Sequence, residues 1–223
     1  MVGKAGAWSY SRMKDFETCA KQFYHRHVLK EFPFEETDAT RYGTEFHKAA
    51  EDFIRDGTPV PERFSWAKET LQELADKPGE KHVELKFGLT EDLQPRSFFD
   101  RDVWLRGIVD YLSLDGDRAW IVDYKTGKNA KYADPDQLEL MALLTFAHFP
   151  QVKTVNAALL YVVADAFIPE RYHEYNRNQM WAGWYKRYAR MEKAHETGVF
   201  NPAPSGLCRA HCPVLECVHN GKN

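Results

Sequence analysis

The sequence predicts an α/β fold in which a central mixed β-sheet is flanked by helices. Apolar residues recur at helical spacing near both ends of the chain, whereas the segment between them holds β-branched and aromatic runs typical of strands. The nearly continuous apolar run 155–164 suits a strand that is buried on both faces. Helices, then strands, then helix, strand and helix therefore favour one mixed sheet between helices.

Composition limits the classes of protein that fit the chain. Of its 223 residues, 43% are hydrophobic and 28% charged, which excludes a disordered or fibrous protein. The net charge of −3 disfavours a protein that coats nucleic acid, but it allows a local basic groove. No apolar run could span a bilayer and no signal peptide is visible, so we expect a cytoplasmic protein that does not associate with a membrane.

Five segments show the apolar spacing of helices, with Ser, Pro or Gly at their ends. They cover residues 9–29, 44–55, 62–76, 134–149 and 178–197, and the stretch 30–43, with its proline and acidic residues, predicts a loop. The last helix carries a stripe of aromatic residues, namely Trp181, Trp184, Tyr185 and Tyr188. This spacing is typical of a core face, so we do not interpret the stripe as a surface for stacking bases.

Strands are predicted at residues 82–89, 103–114, 119–124, 155–164 and 168–173. Between the second and third, Asp115-Gly116 predicts a two-residue hairpin turn. With those residues in the turn, Asp110 faces Ile121 and is a diagonal neighbour of Asp123, roughly 7–8 Å away between backbones. Asp110, Asp123 and Lys125 then project from one side of the hairpin.

Two aspartates among apolar strand residues are costly unless something neutralises them. A divalent cation would do so, since Mg²⁺ prefers carboxylate oxygens, water and phosphate, and Lys125 would add positive charge beside it. The plainer alternative is an ion pair between Asp123 and Lys125 at the end of a strand. The similar tripeptide Glu84-Leu85-Lys86 we interpret as structural.

These residues carry a family resemblance. Gly107-Ile-Val-Asp110 followed by Asp123-Tyr-Lys125 resembles the core motif of the PD-(D/E)XK nucleases, in the RecB-like branch. Two further features agree with it. Residues 43–47 form a G-x-x-x-H sequence, and Gln137 lies at the position of the glutamine in the family's Q-x-x-x-Y motif. The N-terminal segment 9–24 resembles iron–sulfur members such as the AddB nuclease domain and the CRISPR-associated adaptation exonucleases.

The resemblance implies a restriction-endonuclease-like core and assigns roles to individual residues. A Mg²⁺ or Mn²⁺ ion would be held by His47, Asp110, Asp123 and the backbone carbonyl of Tyr124. Lys125 would orient and help to deprotonate the attacking water, and Gln137 would fix water or phosphate. On its own, His47 would more naturally be a packed or surface histidine.

The cysteines form a second pattern. Three of the four lie within ten residues near the C-terminus, which suggests a metal. In iron–sulfur members one N-terminal cysteine joins three C-terminal ones, so the resemblance implies a [4Fe–4S] cluster on Cys19, Cys208, Cys212 and Cys217 that clips the two ends of the chain together. Four thiolates would suit Zn²⁺ equally well, and this alternative stays open.

The chain departs from the family pattern in three places. Met141 stands where the family has the tyrosine of Q-x-x-x-Y, and Ala20 follows Cys19 where proline is usual. The C-terminal cysteines are spaced C-x₃-C-x₄-C, whereas the family commonly has C-x₂-C-x₅-C over the same span.

The resemblance thus predicts one nuclease domain, with a helical segment 9–77, a catalytic core 80–175, and a C-terminal helix with the cysteines 176–223. Its substrate would be DNA, as single strands or duplex ends, and its activity that of an exonuclease in recombination, repair or phage DNA processing. A helicase or a recombination protein would be its partner, in a bacterial, archaeal or phage-infected cell. The alternatives are a catalytically silent DNA-binding or assembly module, and a zinc-clipped structural protein.

Overall fold

The computed structural model describes residues 6–32, 35–131 and 133–222, and its centre is a six-stranded sheet with the order β2-β1-β3-β4-β5-β6. The strands are β1 (Glu80–Leu89), β2 (Pro95–Arg96), β3 (Leu105–Asp115), β4 (Arg118–Lys125), β5 (Thr154–Tyr161) and β6 (Ala166–His173). Only β4 and β5 run parallel, and the other neighbours are antiparallel. The predicted mixed sheet is confirmed, and the two-residue β2 is an addition to it.

Six α-helices accompany the sheet within the described residues. They are α1 (Tyr10–Thr18), α2 (Ala20–Phe23), α3 (Asp38–Asp56), α4 (Lys68–Asp76), α5 (Asp136–His148) and α6 (Arg177–Thr197). Short 3₁₀ turns lie at Glu62–Ala67, Glu174–Asn176 and Gly206–Arg209, and a π-helical turn at Tyr24–Val28 follows α2.

The single helix predicted over 9–29 is interrupted at Cys19. This residue has extended backbone angles, φ −165° and ψ 106°, so α1 ends before it and α2 begins after it. Two groups of the C-terminal segment meet the break. The amide of Lys21 donates to the carbonyl of Asn201 at 3.3 Å, and the amide of Ala203 donates to the Cys19 sulfur at 3.5 Å. Apolar spacing alone does not reveal such a break, since it continues on both sides.

Helix α3 begins six residues before the predicted start at Thr44, so the second half of the predicted loop 30–43 is wrong, while residues 33 and 34 lie outside the described part. The reason is a capping box. Thr37 accepts from the amide of Thr40 at 3.2 Å, and the Thr40 hydroxyl accepts from the amide of Thr37 at 2.8 Å. Threonine stands here where Glu or Gln is the usual partner in this motif. Gly57 ends the helix at φ 69°, as predicted.

The chain divides into two compact units. One comprises Met1–Glu35 and Ala182–Asn223, and the other comprises Glu36–Trp181. The first contains all four cysteines, and the second contains the whole sheet.

In the first unit, aromatic rings form much of the core. Trp8 stacks on Trp184 with ring centroids 5.9 Å apart, and Tyr188 lies 5.8 Å from Trp8. Trp184 and Tyr188 are buried and Tyr185 is exposed, and Trp181, which belongs to the second unit, is buried as well. The prediction that this stripe is a core face is confirmed for three of its four residues.

In the second unit, the helices cover the sheet on both faces. Val122 belongs to the apolar cluster that α3 and α4 form against the sheet, while its neighbour Asp123 bonds to Gln137 of α5. Because successive residues of a strand point to opposite faces, α3 and α4 lie on one face and α5 on the other. Helix α5 is buried along almost its whole length, as expected of a helix that is apolar all round.

No helix among the described residues is long and apolar enough to cross a membrane.

Candidate active site

The hairpin of β3 and β4 turns one residue later than predicted. Asp115 pairs with Arg118, so the turn residues are Gly116 and Asp117. Gly116 has φ 59°, and a two-residue turn with glycine first and positive φ is of type II′, whereas Asp115-Gly116 would have been type I′. The predicted register, with Asp110 facing Ile121, is therefore wrong by two residues.

Because side chains on a strand alternate between the two faces, an error of two residues leaves each side chain on the face that was predicted for it. The ladder between β3 and β4 runs up to Tyr111 and Val122, and one further step brings Asp110 opposite Asp123. There the ladder opens, and the amide of Tyr124 donates to Asp110 Oδ2 at 2.8 Å instead. The two predicted aspartates thus stand directly across from each other, not diagonally.

Helix α3 brings His47 to this opening. Its Nδ1 lies 3.4 Å from Asp110 Oδ1 and 3.6 Å from Glu84 Oε1. The ring of Tyr124 packs edge-on against the imidazole at 5.8 Å. The predicted association of His47 with Asp110, two segments more than sixty residues apart in the chain, is present in the structure.

Glu84, which the sequence led us to interpret as structural, lies in the same group. It lies on β1 between the pairs Val83–Tyr111 and Leu85–Val109, which places it beside Asp110. Its φ of 50° is unusual for a residue other than glycine, and such strain clusters at functional sites. An acid two residues before a lysine is too common a pattern to predict this.

Ligand-type atoms of His47, Glu84 and Asp110 all lie within 4.8 Å of one another, and no other group of three such residues in the described part of the chain does so. Imidazole nitrogen together with carboxylate oxygens suits Mn²⁺ and Mg²⁺. The donor set therefore fits a divalent cation.

The charge of His47 depends on these two acids. Burial alone would lower its pKa, but the carboxylates of Asp110 and Glu84 outweigh burial and raise the pKa to about 10. The imidazole is then a cation at neutral pH, and it holds the two carboxylates together when no metal is bound. Since a metal needs the neutral ring, metal binding must release this proton.

A second set of contacts fixes Asp123 and Lys125. Lys125 Nζ lies 2.6 Å from Asp123 Oδ2 and donates to Gln137 Oε1 at 2.8 Å, while Gln137 Nε2 donates to Asp123 Oδ1 at 2.6 Å. The three side chains form a closed triangle in which Gln137, on the first turn of α5, orients both the acid and the lysine.

Asp123 is almost fully buried, with 3% of its surface exposed. Burial first, and then the nearby negative charge of Asp110, raise its pKa to about 6, while Lys125 acts in the opposite direction. The ionised form of Asp123 is therefore disfavoured, and a positive charge beside it would stabilise that form.

Met141 lies one turn after Gln137 on α5 and is buried in the core. It offers no hydroxyl where the family's tyrosine would be. The amide of Tyr124 donates a hydrogen bond to Asp110, and its ring contacts His47. The role of its carbonyl as a metal ligand stays a prediction.

The four cysteines line one small cavity in the first unit. Cys19 lies at the break between α1 and α2, and Cys208 lies on the last 3₁₀ turn. The Cys208 sulfur accepts from the amide of Ser205 at 3.4 Å, as the Cys19 sulfur does from Ala203. The prediction that Cys19 approaches three cysteines almost two hundred residues away agrees with this lining.

Comparison with known proteins bears on both regions. The profile of the PD-(D/E)XK nuclease superfamily matches residues 7–82 and 65–217, which together include every predicted site residue. No curated protein matches the sequence.

Among solved structures, the chain is similar to one titled "Putative exonuclease" from Eubacterium rectale. The TM-score is 0.52 at 13% sequence identity, over 88% of this chain and 83% of that one. At this identity the likeness concerns the fold alone. A structure titled SSO0001 covers 99% of this chain and 89% of its own, at 10% identity and a TM-score of 0.42, from which we conclude nothing.

Proposed function

Because the chain belongs to the PD-(D/E)XK nuclease superfamily, we propose that it is a metal-dependent deoxyribonuclease of the RecB-like branch. The observation that carries the proposal is the meeting of His47, Glu84 and Asp110 beside the triangle of Asp123, Lys125 and Gln137. Acids, a histidine and a lysine at one opening of a sheet are the groups that phosphodiester hydrolysis needs.

In this proposal Asp110, Asp123, His47 and the carbonyl of Tyr124 hold Mg²⁺ or Mn²⁺, with Glu84 beside them. When bound, the ion would polarise the scissile phosphate and neutralise charge in the transition state. Lys125 Nζ orients the attacking water and helps to remove its proton. Gln137 keeps Lys125 and Asp123 in place, so we assign it a positioning role.

We propose single-stranded DNA as a substrate and exonuclease action as the mode of cleavage, in recombination, repair or phage DNA processing. The name of the Eubacterium rectale protein supports the exonuclease part. A helicase or a recombination protein would supply the DNA ends. We place the protein in a reducing cytoplasm, where cysteines serve as metal ligands more often than as structural disulfides.

We also propose a [4Fe–4S] cluster on Cys19, Cys208, Cys212 and Cys217. Four thiols around one cavity, with backbone amides donating to two of them, fit a group that takes one thiolate for each iron. A tetrahedral Zn²⁺ with bonds of 2.3 Å would bring its sulfurs to about 3.8 Å of one another. The same four thiolates would serve such an ion, so the resemblance to iron–sulfur members carries the preference for the cluster.

A catalytically silent DNA-binding or assembly module is the second candidate, and Met141 in place of the motif tyrosine is the observation that favours it. A zinc-clipped structural protein would have the same four thiols but no use for the acids around His47.

End-labelled oligonucleotides distinguish these candidates. Single strands and blunt duplexes, labelled at either end, are incubated with the protein in Mg²⁺, in Mn²⁺ and in EDTA, beside an Asp123→Asn variant. We expect metal-dependent cleavage that the variant lacks. A folded wild-type protein that binds DNA without cleaving it in either metal would support the silent module, and one that does neither would support the structural protein.

A further inference from the structure

An aromatic pair lies exposed on the connection between β2 and β3. Phe99 has 73% of its surface exposed, and the ring of Phe98 meets it edge-on at 5.1 Å. Single exposed apolar residues are ordinary, but an exposed phenylalanine that packs on a second, half-buried one offers a larger contact surface.

A positively charged side chain lies near each ring. Lys86 Nζ lies 5.6 Å from the centroid of Phe99, and the guanidinium of Arg106 lies 5.3 Å from that of Phe98. In the described chain, neither Lys86 nor Arg106 forms an ion pair. Their positive charges are therefore available to an anion.

Two acids of the connection between β2 and β3 form contacts with groups other than these cations. Asp102 accepts from Arg96 Nε at 2.9 Å, and Asp100 accepts from the amide of Ser97 at 3.1 Å. Both carboxylates are thus engaged within the connection itself.

The two cations lie on the side of the sheet from which His47 approaches. A β-carbon added at Gly107 would lie 2.3 Å from Leu144 of α5, so the neighbours of Gly107, including Arg106, point away from α5. Phe87 packs against His148 at the end of α5, so Lys86 also points away from that helix. Away from α5 is the side of α3, from which His47 approaches.

The two places lie a short distance apart. His47, Glu84 and Lys86 line one cavity of about 560 Å³. Arg106 lies four residues from Asp110 along β3, which is about 13 Å of strand. About four stacked nucleotides cover the same distance.

We propose that Phe98, Phe99, Lys86 and Arg106 form a nucleotide platform, on which unpaired bases of single-stranded DNA stack while their phosphates meet the two cations. This inference rests on the proposed nuclease function and adds to it the residues that recognise an unpaired strand. Aromatic faces interleaved with positive charge are how proteins bind single strands without sequence preference, and a paired base inside a duplex cannot reach them.

Fluorescence anisotropy tests the platform without any cleavage. A labelled dT₁₂ strand and a blunt duplex are titrated with protein in EDTA. We expect Phe99→Ala to weaken binding of the single strand about 10-fold, within the range for loss of one base–aromatic stack, and to leave the duplex unchanged. Phe99→Trp should restore binding, whereas Phe99→Leu should not, because leucine has no ring face.

The matched control is Phe167→Ala on β6, which removes another exposed phenylalanine and should not change affinity for either DNA. Lys86→Ala should lower the salt dependence of single-strand binding by about 0.7 in the slope of log K against log salt. The control for that charge is Lys81→Ala on the same strand.

Several results would overturn the platform. Binding by Phe99→Leu equal to that of the wild type would mark the pair as an apolar docking surface for a protein. Equal losses for single strand and duplex would exclude stacking, and so would wild-type affinity of Phe99→Ala.

The same measurements separate the platform from the proposed activity. If the wild type cleaves DNA but Phe99→Ala binds normally, the platform is wrong and the nuclease stands. If the wild type never cleaves but Phe99→Ala loses single-strand affinity, the platform stands and the nuclease is wrong.

Discussion

The candidate active site and the cysteine region are built in different ways. Site residues lie on regular elements, with His47 on α3, Asp110 on β3, Asp123 on β4 and Gln137 on α5. The cysteines lie where regular structure stops: Cys19 in the break between α1 and α2, and the other three on a short 3₁₀ turn and the loops after it.

The difference concerns what holds each set of ligands in place. At the site, His47 and Lys125 already balance the acids, so the geometry exists before any metal is present. In the cysteine region, backbone amides donate to the sulfurs of Cys19 and Cys208, and the four cysteines lie outside the α-helices and strands. We therefore expect metal at the site to govern chemistry, and metal at the cysteines to govern folding.

The largest expected effect is the loss of DNA cleavage when a residue of the candidate active site is replaced. Asp123→Ala and Lys125→Ala should each lower the rate of DNA cleavage on the order of 10³-fold or more, because each removes a group that acts on the transition state. The measurement is the initial rate on an end-labelled single strand in Mn²⁺, with circular dichroism to check folding.

Asp92→Asn, which changes an exposed acid on a turn, is the control and should cleave normally. Wild-type rates for both active-site variants would mean that the triangle with Gln137 is a structural ion-pair network.

Some residues of the site can be predicted from local sequence patterns, and others only from the family resemblance. Asp110, Asp123 and Lys125 were predicted because acids among apolar strand residues are costly, and a register error of two residues left their alternation intact. His47 and Gln137 came from the resemblance, since nothing in the spacing of a single helix connects it to a distant strand.

Other features depend on tertiary contacts that no local pattern shows. Glu84 joins the site because its backbone adopts a left-handed angle beside Asp110, and a short Glu-x-Lys sequence gives no sign of this. The break at Cys19 depends on Asn201 and Ala203, which are far away in the sequence.

A change among the cysteines should affect stability more than chemistry. Cys208→Ser should remove iron from anaerobically purified protein and cost about 3 kcal/mol of unfolding free energy, which lowers the Tm by roughly 6–12 °C. Cleavage by the folded fraction should fall less than 10-fold. Iron and sulfide analysis, calorimetry and the cleavage assay measure the three effects.

Val218→Ser, at a position that is 86% exposed between the same loops, should change none of these quantities. If Cys208→Ser loses activity as completely as Asp123→Ala while its Tm is unchanged, the contrast between the two regions is wrong. Anaerobic protein that contains zinc and no iron would keep the contrast and exclude the cluster.

The burial of Asp123 predicts a pH-dependent cost at the site when metal is absent. Its pKa rises from 3.8 unfolded to about 6 folded, so the folded state binds more protons between these values. Stability is then lost as the pH rises from about 4 through about 6. Asp123→Asn avoids this loss, and in EDTA at pH 8 it should be more stable than the wild type by about 3 kcal/mol.

Urea unfolding at pH 3 and at pH 8 measures this difference, which should largely disappear at pH 3, where the wild-type carboxyl is mostly protonated in both states. Glu170→Gln on the exposed strand β6 is the control and should show no such dependence. A wild type that is the more stable protein at pH 8 would mean that the ion pair with Lys125 outweighs burial.

The smallest effect should come from Glu84, and it decides whether the site extends beyond the residues of the family motif. Glu84→Gln keeps the shape of the side chain but removes one of the two carboxylates beside His47. We expect Mn²⁺ affinity, measured by isothermal titration calorimetry, to fall about 10-fold, because an outer partner of a metal ligand contributes on that scale. Fewer protons should also be released on binding, since with one acid left His47 holds its proton less tightly. The control Glu80→Gln changes an exposed acid at the start of the same strand and should alter neither quantity. A loss of cleavage as large as that of Asp123→Ala would instead make Glu84 an essential acid, whereas unchanged affinity and proton release would return it to the structural role that the sequence suggested.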